Sequence, residues 1–328
     1  MTSYAAPPAR IDLLIDADTG SDDAVALILA ARDPRVHLHA VTTVAGNVGL
    51  EQATRNALYT LELAGAGHVP VHPGCPRPLL RDHESAQHVH GRDGMSDTGL
   101  PAPRRAPEQE HAVDALLRVV SDQPEGTFTL VTLGPLTNLA AVLTRDPGFL
   151  GRLRHVYCMA GAADMVGNIS ASAEYNVWAD PEAAAVVLGH ATPERVTFVG
   201  WDVSRTRAVM TAADQERLAG MGTPLARFAN DINQAVNDWT TNVTGLAGYD
   251  LPDPITMAVA LDPSMVTRQE AVRVSVGLSP EVRGQLIIDR RHNAEPPNVT
   301  LVRDADEGAF KSRLFAACGE ATPAEVRA

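Results

Sequence analysis

A short apolar run, Ile11–Ile15, ends abruptly in the stretch Asp16-Ala17-Asp18-Thr19-Gly20-Ser21-Asp22-Asp23, and a helix is expected directly after it over Asp22–Ala31. This junction constrains the fold more than any other segment. A run of this length, with four of its five residues apolar and polar residues on either side, is the pattern of a buried strand. The chain therefore delivers four carboxylates to the end of a buried strand and the first turn of a helix. Like charges this close are costly unless a cation or protons neutralise them. Gly20 permits the tight turn that would fold them toward one point, and the helix N-terminus favours anions at Asp22 and Asp23. Oxygen donors with no His or Cys nearby suit Ca²⁺ or Mg²⁺. Capping and solvation would account for one or two aspartates, but not four. An EF-hand does not fit, because the twelfth position counted from Asp16 is Leu27, where a glutamate is required.

The rest of the chain continues the alternation. Strands are expected at Val36–Val44, Phe128–Leu133, His155–Met159 and Arg195–Val199. Helices are expected at Leu50–Ala64, Ala112–Val120, Leu136–Leu143, Pro181–Leu188, Ala212–Ala219, Leu225–Trp239 and Pro254–Leu261. Three short strands, Val272–Val276, Gln285–Ile288 and Val299–Val302, precede a last helix at Glu307–Ala317. Such alternation implies an α/β fold: an open, mostly parallel sheet with a mixed edge and helices on both faces. With no internal repeat, the 328 residues read as one domain, whose ligands belong at the carboxyl ends of the strands. Residues 73–107 break the pattern, being rich in Gly, Pro, His and charge. A loop of that length is functional or disordered; we read it as a flap carrying His83, His88 and His90, with Gly91, Gly94 and Gly99 as hinges.

Composition removes several function classes. The net charge of −13 opposes nucleic-acid binding, which needs a basic face. The only lysine is Lys311, so chemistry requiring a lysine earlier in the chain is excluded. Cys75, Cys158 and Cys318 are an odd, widely spaced set, expected to be reduced thiols of a cytoplasmic protein. Met1–Arg10 lacks the charged-then-apolar pattern of a signal peptide, and no apolar run approaches the ~20 residues of a membrane span.

The segment Asp16–Ala24, Asp-x-Asp-x-Gly-x-Asp-Asp-Ala, resembles the signature of the inosine–uridine nucleoside hydrolase family. Further matches run along the chain: Thr42-Thr43-Val44-Ala45-Gly46-Asn47; His90-Gly91 through Gly94-Met95; Leu133-Gly134-Pro135-Leu136-Thr137-Asn138; Gly167-Asn168; Ala173-Glu174-Tyr175-Asn176; Asp180-Pro181-Glu182-Ala183; and Asp253-Pro254. The resemblance implies a Rossmann-like nucleoside hydrolase fold that takes a ribonucleoside as substrate in purine or pyrimidine salvage, assembled as a homodimer or homotetramer. It implies Ca²⁺ held by Asp18, Asp23, Asp253 and the Leu133 carbonyl, with Asp18 also acting as general base on water. It implies Asp22, Asn47, Asn168, Glu174 and Asn176 on the ribose hydroxyls, and Asp16 orienting the cluster from behind. These residue types suit the chemistry. Breaking a ribosyl C–N bond builds oxocarbenium-like positive charge, which carboxylates and amide oxygens stabilise. Asn138 reads as structural.

One departure matters. Many members of the family carry a His before the late Asp, where it helps protonate the departing base; here position 252 is Pro. His88 or His90 on the flap, or a stacking ring from Trp239, Trp201 or Tyr249, is expected to replace it. Thr19 stands where many relatives have Pro. Two rival readings exist. A haloacid-dehalogenase-like phosphatase would use Asp16 as nucleophile but lacks its lysine. A ribosyl-ligand-binding protein would turn over weakly without an acid at Pro252.

Overall fold

The computed structural model describes residues 10–164 and 166–319. Of the segment read as lacking a signal peptide, residues 1–9 lie outside the described residues. The strands are β1 (Ile11–Ala17), β2 (Val36–Thr43), β3 (Val71–Pro73), β4 (Phe128–Thr132), β5 (His155–Met159), β6 (Val196–Val199), β7 (Val209–Met210), β8 (Tyr249–Asp250), β9 (Val266–Val276), β10 (Leu286–Asp289) and β11 (Val299–Ala305). Nine of them form one sheet in the order β10-β9-β11-β6-β5-β4-β1-β2-β3. From β3 to β11 every pairing is parallel. β9 runs antiparallel to both β11 and β10, which is the expected mixed edge. β7 and β8 pair separately.

β1 shows why the sheet is covered on both faces. Its side chains alternate: Leu13, Ile15 and Ala17 enter one core, and Leu14 enters the other. Helices Ser21–Arg32, Pro252–Leu261 and Glu307–Cys318 cover the first face. Helices Ala112–Ser121, Thr137–Arg145 and Pro181–His190 cover the second. Ser21 through Ala30 are buried all round, because the first helix lies against both Pro252–Leu261 and Glu307–Cys318. The chain leaves β1 for β2 and β3 on one side and returns to β4 on the other. That reversal opens a crevice at the carboxyl ends of β1 and β4, which is where the aspartates fall.

Several elements differ from the sequence expectation. The long helix Leu225–Trp239 is broken into Pro224–Asp231 and Gln234–Trp239, followed by a π turn at Thr240–Thr244. At the break the Asn233 side chain donates to the Ala229 carbonyl (2.8 Å), a side chain competing with the backbone. Helices Tyr175–Ala179 and Trp201–Arg207 and the β7–β8 pair are too short for periodicity to reveal. β9 extends to Val266 because its Thr267, Arg268 and Gln269 are exposed strand residues without an apolar pattern. The flap starts at the last residue of β3, Pro73, and contains the short helix Gln87–His90. It is pinned by Ala86 N–H on the Asn47 carbonyl (3.0 Å) and by Asn56 Nδ2 on the Asp93 carbonyl (2.8 Å). Among the described residues no helix is long and apolar enough to cross a membrane.

Candidate active site

Asp16 is the last residue but one of β1 and is buried. Its Oδ1 accepts from Thr42 Oγ1 (2.5 Å) and Asn138 Nδ2 (2.8 Å), while its Oδ2 is buried without a partner. Asn138 also accepts from the Cys75 N–H (2.9 Å), so it ties β1, β2 and the start of the flap together. Burial pushes Asp16 up to about 6 against those two hydrogen bonds.

Asp18 follows, fully buried. A Cβ on Gly46 would stand 2.0 Å from Asp18 Oδ2, and one on Gly134 would stand 2.6 Å from Oδ1. The loops after β2 and β4 must therefore present glycine on both sides of this carboxylate. Oδ2 accepts the Asn47 backbone N–H (2.6 Å), which leaves Oδ1 free. Asp22 and Asp23 come from the first helical turn, and Asp253 from the first turn of Pro252–Leu261. Asp22, Asp23 and Asp253 each bring an oxygen within 4.8 Å of the others, and all three are buried. Asp23 Oδ2 accepts from the Gly20 N–H (2.9 Å) and Asn47 Nδ2 (3.3 Å). Asp18 Oδ1, Asp22 Oδ1 and Asp23 Oδ1 are buried and have no protein partner.

The electrostatics follow from burial without a counter-charge. Burial, with Asp22 beside it, raises Asp23 to about 7. Burial and Asp23 hold Asp18 well above the usual carboxylate range, and burial with Asp22 does the same to Asp253. Orphaned oxygens on Asp18, Asp22 and Asp23, with Asp253 brought beside the last two from a second segment, fit a hard divalent cation, which would satisfy them and remove the repulsion.

The second wall is built by the segment after β5. Glu174 caps helix Tyr175–Ala179; its Oε1 accepts from Asn176 N–H (2.6 Å) and its Oε2 from Gly161 N–H (2.8 Å). Burial raises it to about 7 despite these bonds. Asn176 Nδ2 donates to the Leu133 carbonyl (2.6 Å), joining this wall to the end of β4. Asn168 Oδ1 accepts the Tyr175 N–H (2.8 Å). Asp22, Asn47, Leu133, Asn168, Glu174, Asn176 and Asp253 all line one cleft, so residues far apart in the chain converge as expected.

His88, His90, Trp239 and Pro252 line the same cleft. His90 Nδ1 lies 3.0 Å from Ser21 Oγ, and burial lowers its pKa, opposed by nearby Asp22. The structure does not bring the other two ring candidates here. Tyr249 is 1% exposed in the first core, its backbone paired to Met210, and Trp201 is buried in the same core under Arg205. Both belong to packing: Tyr249 opens β8 and Trp201 opens helix Trp201–Arg207, and both rings are buried in that core.

Sequence reasoning gave no role to Tyr175, whose hydroxyl reaches the carbonyls of Gly46 (2.7 Å) and Glu84 (2.8 Å) and so joins the Glu174 wall to the flap. It also assigned no task to Gly46 or Gly134, although both stand inside the quoted motifs. Met159, Ile169 and Val89 also line the cleft and carry no local signal.

Residues 13–312 match the family described as inosine-uridine preferring nucleoside hydrolase. The chain is 35% identical over 309 residues to the pyrimidine-specific ribonucleoside hydrolase RihA of Klebsiella pneumoniae, covering 93% of this chain and 97% of that one. It is 35% identical over 282 residues to the inosine-uridine preferring nucleoside hydrolase of Leishmania major, covering 85% and 88%. It superposes on the purine-preferring ribonucleoside hydrolase from Gardnerella vaginalis with a TM-score of 0.86 at 30% identity, covering 94% and 98%.

Proposed function

The chain belongs to the inosine-uridine preferring nucleoside hydrolase family and is an enzyme of ribonucleoside hydrolysis, and from that premise we propose how its own residues carry the reaction. The substrate is a ribonucleoside, cut by water into ribose and free base. The observation that carries this reading is the set of three buried, partnerless oxygens on Asp18, Asp22 and Asp23, at a cleft that Asp22 and Asp253 line together with Glu174 and Asn176.

Asp18, Asp23, Asp253 and the Leu133 carbonyl would hold Ca²⁺, which supplies Lewis-acid chemistry that lowers the pKa of water. Asp18 accepts the proton of the attacking water at Oδ1, since its Oδ2 is committed to the Asn47 N–H. The glycines at 46 and 134 leave the room that this carboxylate occupies between the two loops. Asp22, Asn47, Asn168, Glu174 and Asn176 grip the ribose hydroxyls and set C1′ against the water. Glu174 acts as a fixed acceptor, because two backbone N–H groups already orient it. As the C–N bond breaks, the surrounding carboxylates balance the positive charge growing on the sugar, and the water oxygen bonds C1′.

The base departs toward His88, His90 and Trp239. Pro252 offers no proton, so stacking on Trp239 and hydrogen bonding from the flap histidines take over leaving-group activation. The base accepted is open to either class, as the names of the relatives divide between purine and pyrimidine. We also propose a single domain, a cytoplasmic place in nucleoside salvage and a homodimer or homotetramer; light scattering after size exclusion tests the last.

The test of the reaction is release of free ribose from inosine, adenosine, guanosine, uridine and cytidine, with Asp18→Ala alongside and with calcium loaded or chelated. Turnover by wild type that disappears in Asp18→Ala supports the assignment. No release from any nucleoside with calcium loaded refutes it. Full kcat on inosine and uridine in a His88→Ala/His90→Ala variant would remove the histidines from leaving-group activation.

A further inference from the structure

The opposite end of the sheet carries a second cluster, unrelated to the reaction above. In β2, His37 and His39 are two residues apart and so project to one face. Asp12 of β1 sits directly across from His37 in the strand register. The register then slips: Leu13 faces Leu38 and Leu14 faces Ala40, so His39 is the extra, unpaired residue of a β-bulge. Bulges re-aim a side chain, and this one brings His39 Nε2 to 2.7 Å from Asp12 Oδ1. His37 Nδ1 lies 3.4 Å from the same oxygen. The two imidazoles are 4.1 Å apart, and Phe128 braces the His39 ring edge-on at 4.8 Å. All three ligand atoms lie within 4.8 Å of one another.

We propose that Asp12, His37 and His39 bind a borderline divalent cation, Zn²⁺ above all, at the amino ends of β1 and β2. Two imidazoles and one carboxylate are the donor set that selects Zn²⁺ over Ca²⁺ or Mg²⁺. With bonds of about 2.0–2.2 Å in a tetrahedral arrangement, neighbouring ligand atoms sit roughly 3.3 Å apart, so the side chains here need only small shifts. Three protein ligands leave a fourth position for water. Burial would raise Asp12, but His39 and Arg10 outweigh it and keep the carboxyl ionised. The Arg10 guanidinium lies 2.8 Å from Asp12 and also contacts His37. It is an exposed side chain, and it competes with the ion for the same place. Six strand residues at ~3.3 Å each put this site about 20 Å from Asp18, so the two sites can be read separately.

The experiment is titration of Zn²⁺ into the full chain by calorimetry with calcium saturating, comparing wild type with Asp12→Asn, His37→Ala/His39→Ala and Arg10→Ala. Wild type is expected to show one Zn²⁺ event that weakens at least ~10-fold in the first two, since even a residue that only supports a ligand contributes on the order of 10–100-fold. Arg10→Ala is expected to tighten it, and nucleoside turnover without Zn²⁺ is expected to be unchanged in all three. Identical Zn²⁺ isotherms in wild type and Asp12→Asn would overturn the site, as would an Arg10→Ala isotherm no tighter than wild type. These two variants decide the matter even if the double histidine variant fails to fold.

Discussion

The two ends of the parallel sheet are built from the same strands yet treat charge in opposite ways. At the amino end Asp12 is matched by His39 and Arg10, and its carboxyl is held below the usual range. At the carboxyl end Asp18, Asp22, Asp23 and Asp253 are buried together, with no ion pair to a cation among the described residues and with free oxygens. Matched charge can be left in a fold at little cost, whereas unmatched buried charge must be neutralised from outside. The carboxyl end is therefore where a ligand has to enter, and the amino end folds without one.

The sharpest way to break this contrast is Asp18→Asn. Loss of the base is expected to cut kcat/KM at least ~10³-fold, near the upper part of what a general base contributes, while Asp12→Asn stays within about twofold because distant sites act independently. Comparable losses in both variants would mean that the ends are not functionally distinct. Steric crowding gives the next test. Gly134→Ala places a methyl against Asp18 Oδ1, and displacing a reacting group by about 1 Å costs on the order of 10²-fold in kcat. An unchanged kcat would show that Asp18 has room the structure denies it.

Trp239→Ala separates the sugar side of the cleft from the base side. Losing a stacked ring is expected to raise KM roughly 3–10-fold, the equivalent of about 0.5–1.5 kcal/mol, unequally across the five nucleosides. Equal effects on all would place Trp239 off the base.

The smallest effects concern stability and pH, with calcium chelated. Asp23 rises from 3.8 to about 7 on folding. The folded state therefore holds its proton longer, and the stability it contributes below pH 4 is lost as pH rises toward 7. His155, at the amino end, falls from 6.5 to about 4 through burial. Its contribution is present above pH 6.5 and is lost as pH falls toward 4. Asp23→Asn should flatten the first slope and His155→Asn the second, in thermal melts across pH 4–7. Asp18→Asn should raise the chelated protein's Tm by ~2 °C by relieving repulsion, and lower it when calcium is added. A fall in both conditions would mean that the carboxylates are not in conflict.

Much of this was legible in the sequence because its causes are local. The Ile11–Ile15 run, the four aspartates and the Gly20 turn are contiguous, and their pattern implies a buried strand feeding charge into a helix start. The motif residues Asn47, Asn168, Glu174, Asn176 and Asp253 do line one cleft with Asp22. The ring candidates were not separable by sequence. Trp239, Trp201 and Tyr249 are alike as isolated aromatics, and only the tertiary structure sends Trp239 to the cleft and Tyr249 and Trp201 to the core.

The chain's local order thus determined the alternation of strands and helices, the topology that leaves a crevice at the end of β1, and the acidic character of that crevice. Tertiary structure alone decided which oxygens remain without partners, which glycines press on Asp18, and that a bulge turns His39 toward Asp12. The reason is physical: periodicity and turn chemistry act over a few residues, whereas crowding, desolvation and register depend on atoms that meet only when β1, β2 and β4 lie side by side.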